Sequence, residues 1–196
     1  MFDNDDVAQI LNTVNNCSGS GKTKLVAIDG LAGAGKSTLA TRICQTLDKV
    51  VTVRADHFYK PIGQSQQNHL KPRDKYLQYF DWQRLLDTVM LPVLGGSEAR
   101  YQYHDWADDT IVGWRSVTPE NLVIIDGVFT IRPELRSFYS ATVFIDTPRE
   151  QRLERLLGRS YDDISWIEHW TSAEDWYTSN IQPAKYADII LDGSSV

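Results

Sequence analysis

The sequence predicts a doubly wound α/β fold, a five-stranded parallel sheet flanked by helices. Three observations lead there. Five short apolar runs, at 25–28, 50–53, 122–125, 142–145 and 189–191, are enriched in β-branched residues, as strands buried on both faces require. Stretches with helical spacing separate them, so strands and helices alternate. A glycine-rich segment, Gly30-Leu31-Ala32-Gly33-Ala34-Gly35-Lys36-Ser37, directly follows the first run and opens a helical pattern.

Taken in order, Val7, Ile10, Leu11 and Val14 recur at helical spacing behind an Asp/Asn cluster, predicting a leader helix over about 4–16. A Ser/Gly-rich turn at 17–23 follows. Its Gly19-Ser20-Gly21-Lys22-Thr23 looks like the tail of the later glycine-rich motif. However, Asn16 stands where the leading glycine belongs, no strand precedes it, and a strand rather than a helix comes next. The unit 24–56 then runs strand, loop, helix, strand, with Leu39, Ile43 and Leu47 as the helix's apolar face. The segment 57–119 is polar and aromatic, punctuated by Pro61, Pro72, Pro92, Gly95, Gly96 and Pro119. It is expected to be a substrate-binding insertion, because loops at strand ends carry specificity. At Thr147-Pro148-Arg149-Glu150 a helix start is predicted, with Thr147 as cap, Pro148 in the first turn and Glu150 completing a capping box. The stretch 147–182 is expected to be a lid. Trp166, Trp170 and Trp176, past the arginine row, are expected to pack a terminal helix against the sheet.

The chain has 196 residues, enough for one domain, 1–196, with a proper core. A formal charge of −6 argues against a nucleic-acid groove, which needs a basic face. Only Cys17 and Cys44 occur, in no metal-like spacing, and read as reduced thiols. The acidic start lacks a signal-peptide pattern and no apolar run reaches membrane length. The expectation is a cytoplasmic protein with neither nucleic acid nor membrane as partner. Oligomeric state stays open.

The glycine-rich segment matches G-x-x-x-x-G-K-[ST] in full. Its chemistry is phosphate binding. Glycines let the backbone wrap close to the anion with N–H groups inward, and the next helix adds its positive end. Gly30, Ala32, Gly33, Ala34, Gly35, Lys36, Ser37 and Thr38 are therefore candidate ATP contacts, with Lys36 reaching the β- and γ-phosphates and Ser37 ligating Mg²⁺. In open α/β sheets ligands gather at the carboxyl ends of strands, where Asp56 and Asp126 stand. Phosphoryl transfer to an alcohol needs one carboxylate near the acceptor hydroxyl and one near Mg²⁺, so Asp56 is the candidate base and Asp126 the candidate metal partner. Asp29 is expected to hold the loop's backbone and Asp146 to help the next turn. Arg152, Arg155 and Arg159 share one helix face and are candidates to close over the triphosphate, Arg155 and Arg159 stabilising charge on the moving group. The alternative is a solvated face paired with Glu150, Glu154 and Asp162.

Together these motifs resemble the uridine kinase branch of the P-loop NTPase kinases, related to phosphoribulokinase and bacterial pantothenate kinase. The resemblance runs from Leu25 to Asp192. Asp56-His57-Phe58-Tyr59-Lys60 is similar to the branch's D-x-F-Y-[KR], Phe80-Asp81-Trp82 to its F-D pair, Asp126-Gly127 to its acidic residue and glycine, and Lys185-Tyr186-Ala187-Asp188-Ile189-Ile190 to its closing segment. The resemblance implies a catalytic base at Asp56, a sugar contact at Asp81 and further substrate contacts at Tyr59, Lys60, Tyr103, His104 and Asp105. The family's Y-D-[FY] segment is followed by a base-contacting histidine. Here the text reads Tyr103-His104-Asp105-Trp106, with no histidine between Asp105 and Gly158.

The expected activity is transfer of the ATP γ-phosphate to a hydroxyl of a small molecule, a nucleoside first. Other acceptors of pantothenate, glycerate, pentose or nicotinamide riboside type are the alternative, as is a non-catalytic ATP-binding regulator. A GTP-driven switch is disfavoured because N-K-x-D is absent.

Overall fold

The computed structural model describes residues 2–17, 22–62, 69–158 and 164–194, with the backbone alone at 164–166. The turn and motif-like fragment at 17–23 thus fall largely outside the described residues. Helix α1 (Asn4–Asn16) starts at a reciprocal cap: the Asp3 carboxylate accepts the Asp5 and Asp6 N–H groups, and Asp6 accepts that of Asp3. Its Val7, Ile10 and Val14 are buried.

Five parallel strands follow at the expected places: β1 (Lys24–Asp29), β2 (Val50–Arg54), β5 (Leu122–Asp126), β6 (Ala141–Asp146) and β7 (Ile189–Asp192). Their order is β2-β5-β1-β6-β7. Side chains alternate across the pleat, so each strand supplies two cores. Val26, Ile28, Ile124 and Val143 pack with α1 and with Leu39 and Ile43 of α2 (Lys36–Thr46). Leu25, Val53, Val123 and Ile125 pack on the opposite face. That two-sided burial is why the strands read as unbroken apolar runs. β1 lies between β5 and β6, so chain connections diverge at its carboxyl end and open the crevice that holds the glycine-rich loop.

The insertion is built more regularly than its punctuation suggested. It contains α3 (Pro72–Gln78), a continuous helix α4 formed by Trp82–Leu85, the π-turn Leu86–Met90 and Leu91–Leu94, and an antiparallel hairpin of β3 (Ala99–Asp105) and β4 (Thr110–Val117). Val89, Met90 and Val93 of α4 and Tyr101 of β3 cover the second face of the sheet.

Two local expectations are corrected. Helix α5 (Arg149–Leu157) begins with Pro148 as its cap residue and no side-chain cap. Thr147 instead donates its hydroxyl to Ala34 O at 3.0 Å, and that bond replaces the capping role. In α6 (Ile164–Asn180), Trp170 stacks on Tyr79 at 5.2 Å, and the Trp176 ring lies tilted against Tyr76 at 5.0 Å. These tryptophans pack the helix on α3 and its neighbourhood rather than on the sheet, because α3 supplies an aromatic face that the sheet does not. The Trp166 side chain lies outside the described residues.

Candidate active site

β1 delivers Asp29, fully buried, to the root of the loop. It accepts the N–H groups of Gly30 (2.6 Å), Phe129 (3.2 Å) and Ile131 (2.7 Å) and the Tyr177 hydroxyl (2.6 Å). Burial raises its pKa, against the pull of those donors and of Lys36. As expected, Asp29 holds the loop's backbone, and it also ties in the segment after β5.

Beyond Asp29 the loop is gripped on its carbonyl side. Leu31 O accepts the Lys36 ammonium at 3.1 Å, Ala32 O accepts Arg152 Nη1 at 3.3 Å, Gly33 O accepts Arg155 Nη1 at 3.1 Å and Ala34 O accepts Thr147. Gly35 O takes the first N–H groups of α2. Among the described residues, the N–H groups of Gly33, Gly35, Lys36 and Ser37 have no acceptor in the chain. Unused donors gathered at a helix N-terminus form an anion cradle. Gly33 sits at φ +79, and a Cβ there would come within 2.6 Å of Arg152 O, so only glycine lets α5 approach this closely.

The cradle opens into a cavity of about 700 Å³ whose lining includes Lys36, Ser37, Thr38, Asp56, Trp106 and Asp126. Both carboxylates predicted at strand ends therefore face the same space as the loop. Asp126 is 4% exposed. Its Oδ2 accepts the Ser37 hydroxyl at 2.9 Å, while Oδ1 is buried with no hydrogen-bond partner. Burial raises the Asp126 pKa, while Lys36, the Ser37 hydroxyl and Arg54 pull it down. A buried carboxylate oxygen without a donor, beside a serine hydroxyl, is an all-oxygen set that fits Mg²⁺ or its water shell.

Of the predicted substrate contacts, Asp56 lines this cavity directly. Tyr59 is buried one layer back, its ring 4.6 Å from that of Trp106. Asp105 accepts the Ala107 N–H at 2.8 Å and so shapes the hairpin turn that carries Trp106 and Ala107 into the lining. His104 is buried with Nε2 on Asp109 at 2.9 Å and Nδ1 unpartnered. Tyr103 lies under the Arg115 guanidinium at 4.3 Å. Asp81 caps α4 through the Arg84 N–H at 3.1 Å, and the Lys60 N–H donates to Tyr79 O at 2.8 Å. Lys60, Asp81, Tyr103 and His104 stand outside the lining of this cavity.

The arginine row differs from a face free to close over the triphosphate. Arg152 is 5% exposed and its Nε donates to Thr147 O at 3.2 Å. Arg155 bridges Gly33 O to Gly193 O, the latter at 2.8 Å. Both guanidiniums donate to loop carbonyls. Arg159 lies outside the described residues.

Sequence reading missed Glu174 and Tyr177 of α6. Glu174 accepts the Ala32 N–H at 2.5 Å and the Trp170 indole N–H at 3.1 Å, and pairs with Arg152 at 3.4 Å. The available signal was the spacing of Trp170, Glu174 and Tyr177, which places an acid on an aromatic helix face.

No family model matches the chain. It is 27% identical over 189 residues to a uridine kinase of Clostridium tetani (strain Massachusetts / E88), covering 85% of each. Against a uridine kinase of Shewanella putrefaciens (strain CN-32 / ATCC BAA-453) it is 28% identical over 192 residues, covering 85% of this chain and 86% of the other. A structure described as a possible uridine kinase from Bacillus stearothermophilus superposes with a TM-score of 0.73 at 24% identity, over 96% of this chain and 98% of that one. The phosphate cradle and the sheet order give the chain the P-loop kinase fold, and these likenesses support a kinase similar in sequence to the uridine kinases.

Proposed function

We propose that the chain moves the γ-phosphate of ATP to a hydroxyl of a small molecule, a nucleoside in the first instance. The observation that carries the reading is the single cavity shared by the cradle and by Asp56 and Asp126. The free N–H groups of Gly33, Gly35, Lys36 and Ser37, with Gly30, Ala32, Ala34 and Thr38 shaping the loop, receive the triphosphate. Lys36 exchanges its contact with Leu31 O for phosphate oxygens. Ser37 and Asp126 would hold Mg²⁺, which would neutralise charge on the phosphates.

Asp56 accepts the proton of the acceptor hydroxyl. The acceptor oxygen forms a bond to the γ-phosphorus as the bond to the β,γ-bridging oxygen breaks, and ADP leaves. Arg155 exchanges its contacts with Gly33 O and Gly193 O for charge building on the transferred group, together with Arg159. Arg152 supports the loop. Trp106 and Trp170 both line the cavity, and such indole faces suit a flat base. Tyr59 and Asp105 set the Trp106 wall, and Lys60, Asp81, Tyr103 and His104 form the outer acceptor-side layer.

The test is ADP release from Mg-ATP against uridine, cytidine, other nucleosides, nicotinamide riboside, pantothenate, glycerate and simple pentoses. Acceptor-dependent ADP with a nucleoside supports the reading. Turnover with only a non-nucleoside alcohol moves the acceptor class. Silence across the panel with intact ATP binding favours a nucleotide-dependent regulator.

A further inference from the structure

We infer that Glu174 is a positioning residue for the phosphate loop: from α6, its buried carboxylate holds the Ala32 segment in the one conformation that turns the following N–H groups into the cavity. This rests on the kinase reading above. Glu174 is 1% exposed. One oxygen takes the Ala32 N–H and the Trp170 indole, and the other faces Arg152. Arg152 in turn donates to Ala32 O. The two members of one buried ion pair thus hold the donor and the acceptor of the same residue, which pins both of its backbone dihedrals. Gly33, the next residue, is left-handed and already pressed against Arg152 O. Ala32 is the last point at which the loop's course can be set before the cradle begins.

Stability alone does not explain this pair. Burial raises the Glu174 pKa, and buried ion pairs are commonly no more stabilising than apolar residues of the same volume. A lone carboxylate beside a triphosphate site would also repel the ligand. Pairing with Arg152 cancels that charge and leaves the hydrogen-bond geometry as what the pair contributes. The inference therefore has a distinctive sign. If Glu174 acted only through its charge, Glu174→Gln would tighten ATP binding, because Arg152 would be left uncompensated. If Glu174 only stabilised the fold, Tm would fall and affinity would stay. Gln keeps an oxygen for the Ala32 N–H but sets an NH2 group against the Arg152 guanidinium that holds Ala32 O. A positioning role therefore makes affinity fall despite the lost negative charge, since even small misplacement of binding groups is costly.

The experiment is a calorimetric titration of Mg-ATP, without acceptor, into the parent protein and Glu174→Gln. It is paired with amide hydrogen exchange on the parent with and without Mg-ATP. At least ~10-fold weaker binding is expected in the folded variant. Ala32 N–H is expected to be protected in both states, whereas Gly33, Gly35, Lys36 and Ser37 become protected only with Mg-ATP. Unchanged or tighter binding by folded Glu174→Gln overturns the inference, and so does an Ala32 amide protected only when nucleotide is present. Should the variant not fold, the exchange pattern of the parent decides. A parent that does not bind Mg-ATP sinks the kinase reading instead, while protection of Ala32 in the free protein still reports the Glu174 contact.

Discussion

At the scale of single residues, the proposed role of Asp126 in holding Mg²⁺ sets a buried carboxyl against the stability of the empty protein. Its pKa is raised chiefly by burial. A carboxyl group raised above its unfolded value adds stability only at acid pH, and that contribution is lost as pH rises through the folded pKa. Near neutrality the buried carboxyl is therefore a net cost. Asp126→Asn, which keeps an oxygen for the Ser37 hydroxyl, is expected to raise the Tm of the ligand-free protein at pH 7. The same change is expected to lower kcat by ~10²-fold or more, by removing the charged group proposed to hold Mg²⁺. Differential scanning calorimetry and the ADP assay read the two effects separately, and a lowered Tm would contradict the burial argument. Asp56→Asn is expected to lose ~10²-fold or more in kcat while binding ATP normally. Unchanged kcat would remove Asp56 from the role of base.

The site depends on how elements approach one another. β2 and β5 are neighbours, Arg54 pairing with Asp126 in register, and their carboxyl ends carry the two acids. A Cβ on Gly127 would lie 2.3 Å from Ala55 Cβ, so Gly127→Ala is expected to wedge the ends apart. Overpacking of this kind costs about 1–3 kcal/mol, measurable by denaturant unfolding. The wedge is also expected to lower kcat more than it weakens ATP binding, because it separates Asp56 from Asp126 and leaves the cradle intact. Equal stability would show that the ends already have slack. Helix α5 meets the loop through Arg155. Loss of that guanidinium in Arg155→Ala is expected to lower kcat more than it raises KM for ATP, and the reverse split would make it a binding residue.

Over the whole molecule, the cavity is assembled from the glycine-rich loop, the end of β2, the hairpin turn, the end of β5 and α6. ATP should therefore stabilise the entire fold. At a hundredfold excess over Kd, Mg-ATP is expected to add about 2.7 kcal/mol, a rise in Tm of roughly 5–10 °C for a chain of this size. Lys36→Ala is expected to abolish turnover and most of that rise, which a thermal melt with and without nucleotide checks. A full shift in the variant would place the nucleotide elsewhere.

The sheet was legible in the sequence because strands buried on both faces leave continuous apolar runs, and the loop was legible because phosphate binding demands glycines, lysine and serine at fixed spacing. Asp56 and Asp126 were legible by their place at strand ends. The hairpin was not, since β4 is largely exposed and its alternation is blurred by exposed Ile111 and Trp114. Neither was the work of Thr147, which carries every local mark of a helix cap and yet bonds to Ala34, 113 residues earlier. Glu174 reaches Ala32 across 142 residues, and Arg152 and Arg155 donate to loop carbonyls rather than standing over the cradle. Local spacing determines which residues share a strand or a helix face. Which carbonyl or N–H a buried side chain satisfies depends on the packing of distant elements, and only the tertiary structure decided that.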